Sequence, residues 1–201
     1  LVGEDGATHH GVFDLAYLRS IPNLIVFAPS TEVELRNILY TAQLGLKNPI
    51  AIRYPRGTGS IIDWQKPFEK IKIGKGLQLK TGTKIAILSI GTIAKNVTDA
   101  IELTDNSSEI AHFDMRFIKP LDEVLLHHVF KNHKTIFTVE DGTIKGGFGS
   151  AVLEFSSENN YLNSVKIIGI PDNFVAHGSI SELQNKIGLN PSNLASLFSK
   201  T

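Results

Sequence analysis

"NLIVFAPSTEVELRNILYTAQLGLKNPIAIRYPRG" (residues 23–57) is the stretch that decides the fold. Its opening, "NLIVFAPS", is a short apolar run that stops at Pro29, the pattern of a buried strand. Ser30 or Thr31 can then cap a helix, with Glu32 and Glu34 in its first turn and Thr31 and Glu34 at capping-box spacing. Leu35, Ile38, Leu39, Ala42 and Leu46 recur at helical spacing, so one face of that helix is expected to be buried. "PIAIRYPRG" (49–57) reads as a second strand, ended by Pro55-Arg56-Gly57. Strand, helix, strand predicts a parallel βαβ unit with helices on the sheet faces.

Working outward, "TGSIIDWQKPFEKI" has no clean period and contains a proline, so residues 58–70 are read as a linker. A second alternating block follows. Its expected strands are "KIAILSIG" (84–91), "EIAHFDM" (109–115), "KTIFTVED" (134–141) and "SVKIIGI" (164–170). Helices are expected near 93–104, 121–131 and 147–157, and two short ones near 180–187 and 191–199. Residues 71–201 therefore make a complete α/β domain of ordinary size. Residues 1–57, with two strands and one long helix, make a poor sheet alone. They are expected to be the C-terminal part of a domain whose beginning lies outside this chain.

The bulk composition narrows the function classes. Of 201 residues, 42 % are hydrophobic and 20 % charged, ordinary for a soluble globular chain. Lys plus Arg and Asp plus Glu number 20 each, so no broad basic field exists and nucleic acid is not an expected partner. The chain has no cysteine, which excludes disulfides, cysteine-based zinc sites and a cysteine nucleophile. That composition fits a reducing compartment. No apolar run approaches bilayer-spanning length and no charged-then-apolar leader opens the chain, so no membrane association is expected.

The chemistry-bearing residues cluster in "GEDGATHHGVFDLAYLRSIPN" (3–23). His9 and His10 share a Gly-rich loop with Asp5 and Thr8, and a neutral imidazole there can relay a proton or hydrogen-bond a hydroxyl or carbonyl. His9 is read as the acting group and His10 as structural. A zinc site is disfavoured, because only Asp5, Glu4 or Asp14 can join two adjacent histidines that point different ways. The cluster is expected to be one half of a site whose other half lies upstream. Arg56 sits at the carboxyl end of a strand, where α/β sheets bind ligands. It either grips a phosphate through two parallel N–H bonds or ties its loop to a carboxylate. "GGFGSAV" (146–152) lacks the P-loop lysine and the third glycine of a dinucleotide fingerprint, so close backbone packing explains its glycines better than a phosphate cradle. His177 and Arg116 are read as structural.

Together with "APSTEVELRNILYTA", "IRYPRG", "FDMRFIKPLDE", "VEDGTIKGGFGSAV" and "IGIPDNFVAHG", that first stretch resembles the 1-deoxy-D-xylulose-5-phosphate synthases of the transketolase-like, thiamine-diphosphate-dependent superfamily. The resemblance runs in order from residue 1 to near the end. It implies an α/β fold in which a partial pyrimidine-binding parallel-sheet domain (1–57) precedes a complete transketolase C-terminal-type domain (71–201). It implies condensation of the small-molecule substrates pyruvate and D-glyceraldehyde 3-phosphate, with loss of carbon dioxide, in a cytoplasmic homodimer. His9 is then expected beside the reacting carbons, Asp5 nearby to orient substrate hydroxyls or the histidine, and Arg56 on the acceptor's phosphate. Thiamine diphosphate and Mg²⁺ are expected to be held mainly by the missing N-terminal part of the same enzyme. Asp141-Gly142 followed by Asn159-Asn160 only mimics the family's metal-binding motif, and "VEDGT" departs from the family's usual Glu-Glu-Asn. "GVFDLAYLR" and "IRYPRG" favour the synthases over transketolases and 2-oxoacid dehydrogenase β subunits, and a non-catalytic half-protein that docks on a partner is the alternative from a different class.

Overall fold

The computed structural model describes residues 1–59 and 65–200. Its elements run α1 (Asp14–Leu18), β1 (Ile25–Phe27), α2 (Glu32–Gln43), β2 (Ile50–Ile52), β3 (Leu77–Lys80), β4 (Ile85–Ile90), α3 (Ile93–Glu102), β5 (Ile110–Asp114), β6 (Phe117–Lys119), α4 (Glu123–Asn132), β7 (Thr135–Thr143), α5 (Phe148–Glu158), β8 (Ser164–Ile170), α6 (Ile180–Ile187) and α7 (Pro191–Phe198). A short 3₁₀ turn, Ser107–Glu109, leads into β5. The α/β class expected from the sequence is borne out, and β1, α2 and β2 form the parallel βαβ unit with Ile25 opposite Ile50 and Phe27 opposite Ile52.

The larger sheet has the order β3-β5-β4-β7-β8, parallel except for β3 at its edge. A parallel sheet buried on both faces needs strands apolar at every position, and β4 is buried throughout. Its side chains alternate between two cores. Ile85 and Ile87 join α3 and α7 residues on one face, with Val97, Leu194 and Phe198. Ala86, Leu88 and Ile90 join α4 and α5 residues on the other, with Leu126, Val129, Phe148 and Val152.

The smaller sheet has the order β2-β1-β6. β6 comes from the chain's second half, pairs antiparallel with β1 and sets Phe117 edge-on against Phe27, ring centroids 4.7 Å apart. β1 is therefore buried on both faces. Ile25 and Phe27 pack with Ile38, Ile71 and Phe117, while Val26 and Ala28 point into the α4–α5 core. Neither α1, β3 nor β6 was expected from the sequence.

Residues 60–64 of the 58–70 linker lie outside the described residues. The part that follows is a strap along α2. Asn37 Oδ1 accepts the Glu69 N–H at 3.1 Å, Thr41 Oγ1 accepts the Ile71 N–H at 2.9 Å, and Phe68 stacks on Tyr40 at 4.9 Å. Two buried polar groups one helical turn apart thus serve a segment that has no secondary structure of its own.

The start of α2 departs from the expected reciprocal box. Thr31 Oγ1 accepts the Glu34 N–H at 3.2 Å, but the Glu34 carboxylate reaches Ser30 N–H and Oγ and pairs with Arg116. Arg116, at φ +58°, thus has a structural role, linking the two halves of the chain. Beside it Asp114 is fully buried, its carboxyl pushed up to about 7 by burial and by the Glu34 charge, against opposing bonds from Ser30 and Arg116. A carboxyl whose folded-state value lies above its unfolded one stabilises the fold at low pH and loses that contribution as pH rises through the folded value. Asp114→Asn, which is neutral at every pH, should therefore gain on the parent as pH rises. Thermal melts are expected to show the variant's Tm, relative to the parent, climbing by about 3–5 °C between about pH 5 and about pH 8. A difference independent of pH would contradict the assignment.

Candidate functional site

The polar loop at residues 3–12 is built from nested turns. Gly6 N–H bonds Gly3 C=O at 3.2 Å, and the Gly6 carbonyl accepts the N–H groups of His9 at 3.1 Å and His10 at 3.2 Å. Gly6 sits at φ +76°, where a side chain is strained, and a Cβ there would lie 3.4 Å from His177 Cβ. His177 thus packs under the loop.

The two histidines differ in burial and bonding. His10 is buried, its Nδ1 accepts the Val2 N–H at 3.1 Å, and its Nε2 is 3.2 Å from the Ala176 carbonyl. An N–H can only donate, so Nδ1 is the bare nitrogen and Nε2–H donates to Ala176; both ring nitrogens are committed. His9 is exposed, with Nδ1 3.0 Å from Thr8 Oγ1.

Arg56 follows the carboxyl end of β2 and forms an ion pair with Asp5, 51 positions away. Both side chains are about half exposed, 57 % for Arg56 and 42 % for Asp5, so the pair is wet and accessible to a competing anion. Of the two readings of Arg56, the carboxylate tie is the contact present. Since Asp5 lies one residue before the turn that holds His9, the tie also brings the guanidinium to the histidine loop. A cavity of about 600 Å³ opens beside Arg56. Tyr54 and Thr58 line it on one side, Thr31 and Leu35 on another, and Asn96 and Gln184 close it; Asp5 and His9 are not among its walls.

"GGFGSAV" holds a carboxylate. Glu140, fully buried, accepts the N–H groups of Phe148 and Gly149 at 2.9 Å each, filling the amino end of α5 from within the protein. Burial pushes its carboxyl up to about 7 despite these bonds and the charges of Arg53 and Arg19. A Cβ on Gly149 would stand 2.5 Å from Ile167 Cγ2 and 2.7 Å from Thr138 Oγ1, which is the close packing expected from the sequence. Asn159 bonds back to the Phe155 carbonyl at 2.9 Å. That contact commits Asn159 of the mimic motif to the end of α5. Among the described residues no three His, Cys, Asp or Glu side chains converge as metal ligands, and no helix is long and apolar enough to cross a membrane.

Sequence reading passed over Arg53 and weighed Asp14 only as a zinc ligand. Arg53 pairs with Asp14 at 3.0 Å and also donates to the Asp141 carbonyl. The only signal was a charged residue continuing an apolar strand.

Residues 1–60 match the family described as transketolase, pyrimidine binding domain, and residues 74–194 the family described as transketolase, C-terminal domain. A 1-deoxy-D-xylulose-5-phosphate synthase of Bacteroides fragilis is 52 % identical over all of this chain and 31 % of its own length. One from Phocaeicola vulgatus is 55 % identical over 94 % of this chain and 30 % of its own. The chain thus spans about a third of the length of these curated relatives. Among solved structures, a split-gene transketolase in the form of an inactive β4 tetramer superposes with a TM-score of 0.82 at 28 % identity, over 96 % of this chain and 62 % of that one. A transketolase from Campylobacter jejuni shares the fold, with a TM-score of 0.74 at 21 % identity, over 99 % of this chain and 29 % of that one. With both family descriptions matched in order, and with the second alone covering more than half its residues, the chain belongs to the transketolase family.

Proposed function

We propose that this chain is the C-terminal portion of a transferase that condenses pyruvate with D-glyceraldehyde 3-phosphate to 1-deoxy-D-xylulose 5-phosphate and carbon dioxide, using thiamine diphosphate. In this reading residues 1–57 complete a pyrimidine-binding domain, 58–70 connect, and 71–201 form the C-terminal domain of a cytoplasmic homodimer. Support comes from relatives of that name that are 52 % and 55 % identical. The observation that carries the reading is the meeting of Asp5 with Arg56, which joins a guanidinium at a strand's carboxyl end to the loop that bears His9.

The described residues do not fit the cofactor's metal–diphosphate end, because no set of carboxylates or imidazoles converges among them. That grip, with Mg²⁺, is assigned to the upstream part of the enzyme. What this chain supplies is the acceptor side. Arg56 binds the acceptor phosphate, for which a planar guanidinium offers two parallel N–H bonds. His9 hydrogen-bonds the acceptor's aldehyde oxygen and passes it a proton as the new carbon–carbon bond forms. Asp5, released from Arg56 as phosphate takes its place, orients the acceptor's hydroxyl.

The test is donor and acceptor choice in the full-length protein supplied with thiamine diphosphate and Mg²⁺. Pyruvate with D-glyceraldehyde 3-phosphate is expected to give carbon dioxide and the deoxyketose phosphate. Turnover with a ketose donor and none with pyruvate would make the protein a transketolase instead. A second reading, a separate half-protein that needs a partner chain, draws on the likeness to the split-gene transketolase. Co-purification of this chain with a distinct upstream polypeptide would favour it.

A further inference from the structure

Arg53 is placed unlike an ordinary strand-end arginine. It directly follows β2, yet its side chain is only 14 % exposed. Its N–H is bonded to the Phe27 carbonyl at 2.8 Å, so the root of the side chain is fixed in the smaller sheet. From there Nε reaches Asp14 Oδ2 at 3.0 Å and a terminal nitrogen reaches the Asp141 carbonyl. One guanidinium therefore ties the end of β2 to the start of α1 and to β7 of the other sheet.

Asp14 passes that constraint to the loop. Its Oδ1 accepts the Leu15 N–H at 2.7 Å, and its Oδ2 lies 2.9 Å from where a Cβ on Gly11 would stand. The loop backbone rests on the carboxylate, two residues after His9, and a side chain at position 11 would push the two apart. One residue on, the Val12 carbonyl accepts the Thr143 N–H at 2.7 Å. The neighbouring charges are otherwise engaged. Glu140 serves the amino end of α5, and Arg19 pairs with Glu154. Asp14 is the carboxylate that receives Arg53.

A half-buried ion pair of this kind adds little net stability over apolar residues of similar volume, because desolvation offsets the attraction. What it does supply is direction, since a guanidinium fixed at its root and bonded at both ends holds its partners at set distances. We propose that Arg53 is a positioning residue that, through Asp14, holds the 3–12 loop where His9 and Asp5 meet the substrate bound at Arg56. The inference rests on the role given above to His9.

The test uses the full-length protein and the parent, His9→Ala, Arg53→Ala, Arg53→Lys, Asp14→Asn and the double variant His9→Ala/Arg53→Ala. Arg53→Ala and Asp14→Asn should each lower kcat by about 10–100-fold, the scale of a displaced reacting group, with acceptor KM changed by less than about threefold. Arg53→Lys should recover part of the loss. In the His9→Ala background, removing Arg53 should cost less than about threefold more, because the group it positions is already gone. An equal loss in both backgrounds, or a lowered melting temperature with kcat intact, would overturn the proposal. If Arg53→Ala does not fold, Asp14→Asn in the two backgrounds carries the same comparison. A His9→Ala enzyme with parental turnover would remove the reading of His9 and this proposal with it, an outcome distinct from independent losses at the two residues.

Discussion

Replacing His9 with Ala in the full-length protein is expected to lower kcat by about 10²–10⁴-fold, the range that a positioned proton-transfer group contributes. The argument is one of accessibility and commitment. His10, its neighbour, is buried with both ring nitrogens bonded to backbone, whereas His9 is exposed and bonded through Nδ1 to Thr8. His9 is therefore the imidazole of the pair that can meet a substrate. If it acts on the aldehyde in the bond-forming step, affinity for the coenzyme and KM for either substrate should change by less than about threefold, while turnover collapses. Steady-state kinetics at saturating coenzyme, with coenzyme affinity measured separately, decides this. Unaltered turnover would exclude His9, and a loss confined to coenzyme affinity would move it to the binding of the cofactor.

Removing Arg56 should act on one substrate. A charge-assisted bidentate contact to phosphate contributes about 1.5–3 kcal/mol, so Arg56→Ala is expected to raise the KM for the phosphorylated acceptor by about 10–150-fold. The KM for pyruvate, which carries no phosphate, should stay within about twofold. Arg56→Lys should recover only part of the loss, because an ammonium keeps the charge without the planar fork. The Asp5 contact sharpens the expectation. At an exposed pair the carboxylate adds little stability, so a dianionic phosphate can displace it, and the fold should tolerate the substitution. Equal changes in both KM values would refute a phosphate role, and a cooperative loss of structure would show that the Asp5 tie is what Arg56 is for.

The fold was legible wherever a periodicity spanned a whole element. β1, α2, β2, β4, β7 and the amphipathic helices each carry an apolar pattern long enough to read. β6 carries none: "FIK" is three residues before a proline, and it is a strand because β1 lies beside it. β3, "LQLK", is an edge strand with largely exposed side chains, so nothing in it selects burial. α1 is five residues long and has no side-chain cap, which leaves no signal at its start. The linker's second half takes its course from Asn37 and Thr41, polar positions that a helical wheel assigns to solvent.

The candidate site divides along the same line. By itself the sequence determined the residue types: an imidazole loop rich in glycine, an arginine at a strand's carboxyl end, and glycines before α5 that mark close packing. Those follow from neighbours within a few positions, where backbone preference and hydrophobic spacing act. Only the tertiary structure decided which charges meet. Arg56 finds Asp5 across 51 positions, Arg53 finds Asp14 across 39, and Glu140 turns inward to the amino end of α5. Such pairings depend on sheet register and on which buried polar groups are already satisfied, and these quantities exist only once the chain has closed on itself.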